Sequence, residues 1–222
     1  MEIIPALIGQ SFSEIEPKLQ LLEGAANWVH LDVTDGTLTP GASWASPDDI
    51  EFVDGKLKIE VHLMVRQPEE ILSDWALVAD RVLVHAEAAL DPEALMAFAE
   101  RERVELGVVL NLDTPISELE NYGPSLKLVQ LMAIAEIGKQ GHKFEAKVLD
   151  KIKLLREIRP NVKIQVDGGI NLKTARTALA AGADNLVVGS AIWQTPDPLK
   201  TLTLFQKLPA SPSGRQANQA TS

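Results

Sequence analysis

Four residues of this chain combine types that bind metal ions and move protons, and each sits where an apolar strand should end. They are His30 and Asp32 in His30-Leu31-Asp32-Val33-Thr34-Asp35-Gly36, His62 in Glu60-Val61-His62-Leu63-Met64, and Asp167 in Gln165-Val166-Asp167-Gly168-Gly169. Side chains alternate across a strand, so His30, Asp32 and Thr34 share one face, His62 shares its face with Met64, and Asp167 with Gln165. Brought to one mouth, two imidazoles and two carboxylates make a donor set for one borderline divalent metal ion: Zn²⁺, Fe²⁺, Mn²⁺ or Co²⁺. Any one of them alone reads more plainly as a strand cap or a satisfied core residue. Four, in matching positions on three strands, point to a metal site. Asp35 faces the other way and reads as the first residue of an Asp-Gly turn. His85, in Val84-His85-Ala86-Glu87, also ends a strand and suits a supporting or substrate-side role, whereas His142 lies in a loop.

Glycine placement adds a second signal. Gly168 and Gly169 follow one strand, and Gly189-Ser190 closes the next. Without a Cβ, backbone N–H groups can approach phosphate oxygens closely, and a nearby helix N-terminus favours negative charge.

The elements that must position these residues are legible as apolar runs. Strands are expected at 3–8, 28–33, 57–64, 81–86, 105–110, 126–132, 162–167 and 185–190, with helical patterns at 13–24, 68–78, 92–102, 146–158 and 172–182. Near-continuous apolar strands separated by helices imply parallel strands covered on both sides. Eight such units in a chain of 222 residues predict an α/β fold, a single-domain (β/α)₈ TIM barrel. A doubly wound open sheet is the structural alternative, but Ile8-Gly9-Gln10-Ser11 lacks the glycine-rich turn expected after its first strand. In a barrel, the glycines above follow the seventh and eighth strands, where phosphate sites are frequently built. The barrel is expected over residues 1–208, followed by a small, polar, disordered tail at 209–222.

Composition narrows the function. The absence of cysteine removes disulfide, thiol-nucleophile and Cys-ligated metal chemistry. A net charge of −10 leaves no broad positive surface for nucleic acid or a membrane. No apolar run reaches the ~20 residues of a membrane span, and the start Met-Glu-Ile-Ile-Pro is unlike a signal peptide. A soluble cytoplasmic protein is expected.

With these pieces in order, the sequence resembles the ribulose-phosphate 3-epimerase family. The resemblance rests on IIPALI (3–8), HLDVTDG (30–36), EVHLM (60–64), VHAEA (84–88), GVVLN with TP (107–115), VDGGI (166–170) and VVGSAIW (187–193), and spans roughly residues 3–193. It implies a metal-dependent epimerase that inverts C3 of a phosphorylated ketose, interconverting D-ribulose 5-phosphate and D-xylulose 5-phosphate. His30, Asp32, His62 and Asp167 would hold the metal. Asp32 and Asp167 would also be the two acid/base residues, because inverting a carbon beside a carbonyl takes a proton from one face and returns one to the other. Met64 and Met132 would cap the enediolate, while Gly138, Gly141, Gly168, Gly169, Gly189 and Ser190 would surround substrate and phosphate. The family is often dimeric or hexameric, but no interface for a homo-oligomer is legible here.

Departures cluster on the substrate side. Ala6 stands where the family has a serine, Thr34 where it has a methionine, and Thr39-Pro40-Gly41 where an asparagine is expected. The loop 135–144 replaces the family's Pro-Gly-Phe-Gly-Gly-Gln and carries Lys139, His142 and Lys143, which could meet a phosphate. These changes leave open a related hexulose-phosphate epimerase, acting on allulose 6-phosphate, or an inactive sugar-phosphate-binding barrel. A decarboxylase or hexulose-phosphate-synthase lyase is disfavoured, because Asp32-Val33-Thr34-Asp35 lacks the lysine of an Asp-x-Lys-x-x-Asp array.

Overall fold

Eight strands close into a barrel in which every neighbouring pair is parallel and chain order is spatial order. They are β1 (Glu2–Leu7), β2 (Trp28–Thr34), β3 (Lys58–Met64), β4 (Arg81–His85), β5 (Glu105–Leu110), β6 (Leu128–Met132), β7 (Lys163–Asp167) and β8 (Asn185–Val188), with β8 pairing back onto β1. The structure is a computed structural model and describes residues 1–50, 56–139 and 141–209. The expected tail from residue 210 onward lies outside the described residues. The single-domain (β/α)₈ barrel is the architecture expected from the sequence.

Alternation explains the two layers. Odd-numbered residues of β2 and β3, such as Leu31, Val33, Val61 and Leu63, join Val84, Val108, Leu131 and Val166 in the large cluster between sheet and helices. The opposite faces point into the barrel. There, Leu83, Val109, Leu128, Met132 and Ile134 form one small apolar cluster, and Ile4, Ala6 and Val187 another. Fully buried polar side chains share that interior: His30, Glu60, His62, His85, Gln130 and Gln165 are all 0% exposed. An interior this polar is unusual for a packed barrel core and marks where the site is built.

The helical layer is less regular than the sequence pattern suggested. Helices α1 (Phe12–Leu22), α4 (Pro92–Glu102), α5 (Val148–Ile158) and α6 (Leu172–Ala181) fall where expected. Asn171 caps α6 through the N–H groups of Lys173 and Thr174, and α6 stops at Gly182. After β2, only the four-residue α2 (Pro47–Ile50) is seen among the described residues. The stretch 68–78 is split into a 3₁₀ turn, Pro68–Glu70, and a short α3 (Leu72–Ala76), with the left-handed Gln67 (φ 54°) before the proline. After β5 runs a 3₁₀ helix, Ile116–Tyr122. Its buried residues Ile116, Leu119 and Tyr122 recur every third position, the period at which 3₁₀ side chains align. Two helices near the end were not anticipated: α7 (Ser190–Trp193) directly after β8, and α8 (Pro198–Gln206), capped by Asp197.

Candidate metal and active site

The site follows from strand register. β2 and β3 pair with His30 opposite Glu60, Asp32 opposite His62, and Thr34 opposite Met64. Inward residues of the two strands therefore stand side by side. From the strand four places beyond β3 in the barrel, β7 delivers Asp167 at its C-terminal end. One potential ligand atom from each of His30, Asp32, His62 and Asp167 lies within 4.8 Å of all the others. His30 Nε2 and His62 Nδ1 are 3.3 Å apart, and both face Asp32 Oδ1, at 3.2 and 3.0 Å. Asp167 Oδ2 stands 3.9 Å from His62 Nδ1. Metal–ligand bonds of about 2.1 Å place the corners of a tetrahedron about 3.4 Å apart, so these separations fit a divalent cation. The four residues form a cluster able to bind a metal.

Each imidazole is oriented by its other nitrogen. His30 Nδ1 donates to Glu60 Oε1 at 2.7 Å. Glu60 is held in turn by Arg81 Nη1 at 2.6 Å and by Gln165 Nε2 at 2.6 Å, and Gln165 Nε2 also reaches Gln130 Oε1 at 2.9 Å. Arg81 extends the network to Glu105 and lies 4.1 Å over the Trp28 ring. On the far side, His62 Nε2 meets His85 Nε2 at 2.9 Å, and His85 Nδ1 lies 3.2 Å from Glu87 Oε2. Such outer partners set ligand tautomer and basicity.

Burial and neighbouring charge divide the two carboxylates. Burial works to raise the pKa of Asp32, but His30 and His62 outweigh it and hold the group well below the usual carboxylate range. Asp167 is pushed up to about 7 by burial and then by the charge of Asp32. Burial opposes ionisation of His30, yet Asp32 and Glu60 lift its pKa above the ordinary value. Burial lowers His62, and lowers His85 to about 4. Without a cation, the site thus holds one ionised and one readily protonated carboxylate.

Above the imidazoles lies a pocket. Asp32, Asp167, Met64, Met132, Gly138, Gly141, Gly168, Gly169, Gly189 and Ser190 all line it, so the two carboxylates share one pocket with both methionines and the glycine and serine positions singled out from the sequence. His30 and His62 lie beneath it, fully buried. Of the substituted positions, Ala6, Lys139 and His142 also line the pocket, while the exposed Lys143 does not. Gly169 adopts φ 64°, and a Cβ there would overlap the backbone of Phe144, so glycine is what lets the backbone of Lys143 and Phe144 pack against the turn after β7. Asp35 is exposed and accepts from Thr37 N–H and Oγ1, the turn role expected of it.

Glu60, Arg81, Gln130 and Glu87 escaped the sequence reading. A signal was available for three of them. Glu60 shares the inward face of His62, Arg81 that of His85, and Gln130 that of Met132, so strand alternation alone marks each as a polar residue aimed into the barrel.

Comparison with known proteins agrees with this geometry. Residues 2–193 match the model of the Ribulose-phosphate 3 epimerase family. The chain is 32% identical over 212 residues to the ribulose-phosphate 3-epimerase of Bacillus subtilis (strain 168), covering 91% of this chain and 97% of that protein. Against the ribulose-phosphate 3-epimerase of Treponema pallidum (strain Nichols) it is 34% identical over 199 residues, covering 86% and 90%. Among solved structures, 3-hexulose-6-phosphate synthase from Salmonella typhimurium shares the fold with a TM-score of 0.71 at 16% identity, over 92% of this chain and 98% of that one. Barrel, site geometry and sequence matches converge: the chain belongs to the ribulose-phosphate 3-epimerase family.

Proposed function

We propose that this chain is a metal-dependent 3-epimerase that interconverts D-ribulose 5-phosphate and D-xylulose 5-phosphate. The observation that carries this reading is the pairing of Asp32 and Asp167 in one pocket, from strands on different sides of the barrel and with opposed tendencies to ionise. Epimerisation needs this asymmetry. The ionised carboxylate of Asp32 takes the C3 proton from one face of the substrate, and the protonated Asp167 returns a proton to C3 on the other. The reverse reaction uses them in exchanged roles. Met64 and Met132 exclude water beside the reacting carbon. The backbone of Gly168, Gly169, Gly189 and Ser190, with Lys139 and His142 opposite, binds the phosphate. A bound divalent cation of the Zn²⁺, Fe²⁺, Mn²⁺ or Co²⁺ class supplies Lewis-acid stabilisation of the negative charge that develops on the substrate oxygens.

The relatives' names support the pentose phosphate as substrate, while Ala6 and the loop carrying Lys139 and His142 favour testing allulose 6-phosphate beside it. The deciding experiment is a coupled assay on both substrates after chelator treatment, with Zn²⁺, Fe²⁺, Mn²⁺ or Co²⁺ restored singly. Metal-restored formation of xylulose 5-phosphate is expected. Turnover of allulose 6-phosphate alone would reassign the substrate. Failure to exchange C3–H of either sugar with deuterated solvent would reduce the protein to a binding barrel.

A further inference from the structure

His62 is not an isolated ligand but the inner end of a buried relay. Its Nε2 lies 2.9 Å from His85 Nε2. The two ring centroids are 5.0 Å apart with planes 20° from parallel, so with the nitrogens this close the rings meet edge to edge. One nitrogen of such a pair must donate and the other accept. Cation binding through Nδ1 needs a neutral His62, and full burial disfavours charge on His85, so each ring carries one N–H. Without a cation, Asp32 Oδ1, 3.0 Å from His62 Nδ1, competes for the His62 proton. A cation bound there requires Nδ1 bare and leaves the proton on Nε2, so the outer end must accept. His85 Nδ1 faces Glu87 Oε2 at 3.2 Å, and an ionised carboxylate only accepts, so the His85 proton sits on Nδ1. His85 Nε2 is then the acceptor and His62 Nε2 the donor. His62 Nδ1 is left with a lone pair, aimed at the point shared with His30 Nε2 and Asp32 Oδ1.

Glu87 cannot easily turn away from this task. Its other oxygen, Oε1, accepts from the Asn111 N–H at 2.8 Å and from the Thr114 hydroxyl. We infer that Glu87 is a positioning residue that, acting through His85, selects the Nε2–H tautomer of His62 and presents its Nδ1 lone pair to the cation. The inference rests on the metal-site reading above and adds a residue two hydrogen bonds removed from the donor atoms.

The same contacts say what Glu87→Gln does. Asn111 N–H and the Thr114 hydroxyl retain the amide oxygen on their side, so the amide –NH₂ faces His85 Nδ1 and donates to it. Every proton in the relay then reverses. His85 carries its hydrogen on Nε2 and His62 on Nδ1, pointing toward Asp32 and blocking the ligand position.

Two measurements test this. The first is ¹⁵N NMR of the histidine side chains in the Zn²⁺-loaded protein. The wild type is expected to show His85 protonated at Nδ1 with its Nε2 accepting from His62, and Glu87→Gln to lose that pattern. The second is Zn²⁺ titration against a competing chelator, where Glu87→Gln is expected to weaken binding by about 10–100-fold, the usual effect of losing an outer-shell partner. A Zn²⁺-loaded wild type whose His85 is protonated at Nε2 overturns the inference with no substitution made, and so holds even where a variant fails to fold. Equal Zn²⁺ affinity in wild type and a folded Glu87→Gln overturns the relay alone, whereas a wild type that takes up no Zn²⁺ overturns the metal site itself.

Discussion

Asp32 and Asp167 are the same chemical group within one cluster, yet their surroundings pull them apart. Asp32 faces two imidazoles, while Asp167 is buried and meets the charge of Asp32. The difference has a pH signature. Because the folded pKa of Asp167 is raised from 3.8 to about 7, its contribution to stability is fully present below its unfolded pKa and is lost as pH rises toward and through the folded value. Asp167→Asn mimics the protonated form. In chelator-treated protein it is expected to match the wild type in Tm near about pH 3.5 and to exceed it near about pH 8.5, by roughly 2–4 °C for each kcal/mol of repulsion removed. Equal Tm values at both pH values would show that Asp167 is not under this strain. Glu60 makes a second case. It is wholly buried between His30, Arg81 and Gln165. Glu60→Gln strands the buried Arg81 charge and is expected to cost about 3–5 kcal/mol in urea unfolding. A loss below about 1 kcal/mol would mean that Glu105 alone suffices for Arg81.

At the scale of elements, the site depends on strand register and on the turns that follow the strands. Shifting β3 by one residue against β2 would turn His62 and Glu60 into the helix layer and bring Val61 and Leu63 inward. The outward apolar set prevents this, since Val61 and Leu63 are wholly buried against the helices. The turn after β7 is held differently, by a backbone that only glycine adopts cheaply. Gly169→Ala forces a left-handed conformation that costs about 1–2 kcal/mol and displaces the Phe144 backbone. The expected result is a KM for ketose phosphate raised roughly tenfold and a Tm lowered by roughly 2–8 °C, with near-wild-type Zn²⁺ affinity, because the turn carries the phosphate side of the pocket and not the cation. Steady-state kinetics beside thermal unfolding would separate the two sides.

For the molecule as a whole, charge and substrate are mismatched. A net charge of −10 repels a sugar phosphate, so attraction must be local. Lys139 and His142 line the pocket and Lys143 does not. Lys139→Ala is therefore expected to raise KM about tenfold, the effect of one charge-assisted hydrogen bond, and the difference should shrink at high salt. Lys143→Ala should leave KM unchanged, and equal effects of the two would place the phosphate elsewhere. The barrel itself does not choose the reaction. The 3-hexulose-6-phosphate synthase from Salmonella typhimurium described above has the same fold at only 16% identity. Function lies in the side chains set on the scaffold, and β2 here carries Asp32-Val33-Thr34-Asp35, without a lysine.

The sequence by itself determined the eight strands and which of their residues face inward. Apolar runs and a period of two are local properties, readable without knowing any partner. His30, Asp32, His62 and Asp167 were legible for the same reason, as polar residues at inward strand ends. Tertiary structure alone decided what those residues lean on. Glu60 and Gln165 are 105 positions apart in the chain and 2.6 Å apart in space, and Glu87 reaches His62 only through His85. The helices also followed tertiary demand. Ile116, Leu119 and Tyr122 bury best every third residue, so the segment after β5 winds as a 3₁₀ helix. Closing the barrel sets which inward residues meet, and no local pattern encodes the distance between side chains on strands that are neighbours only after closure.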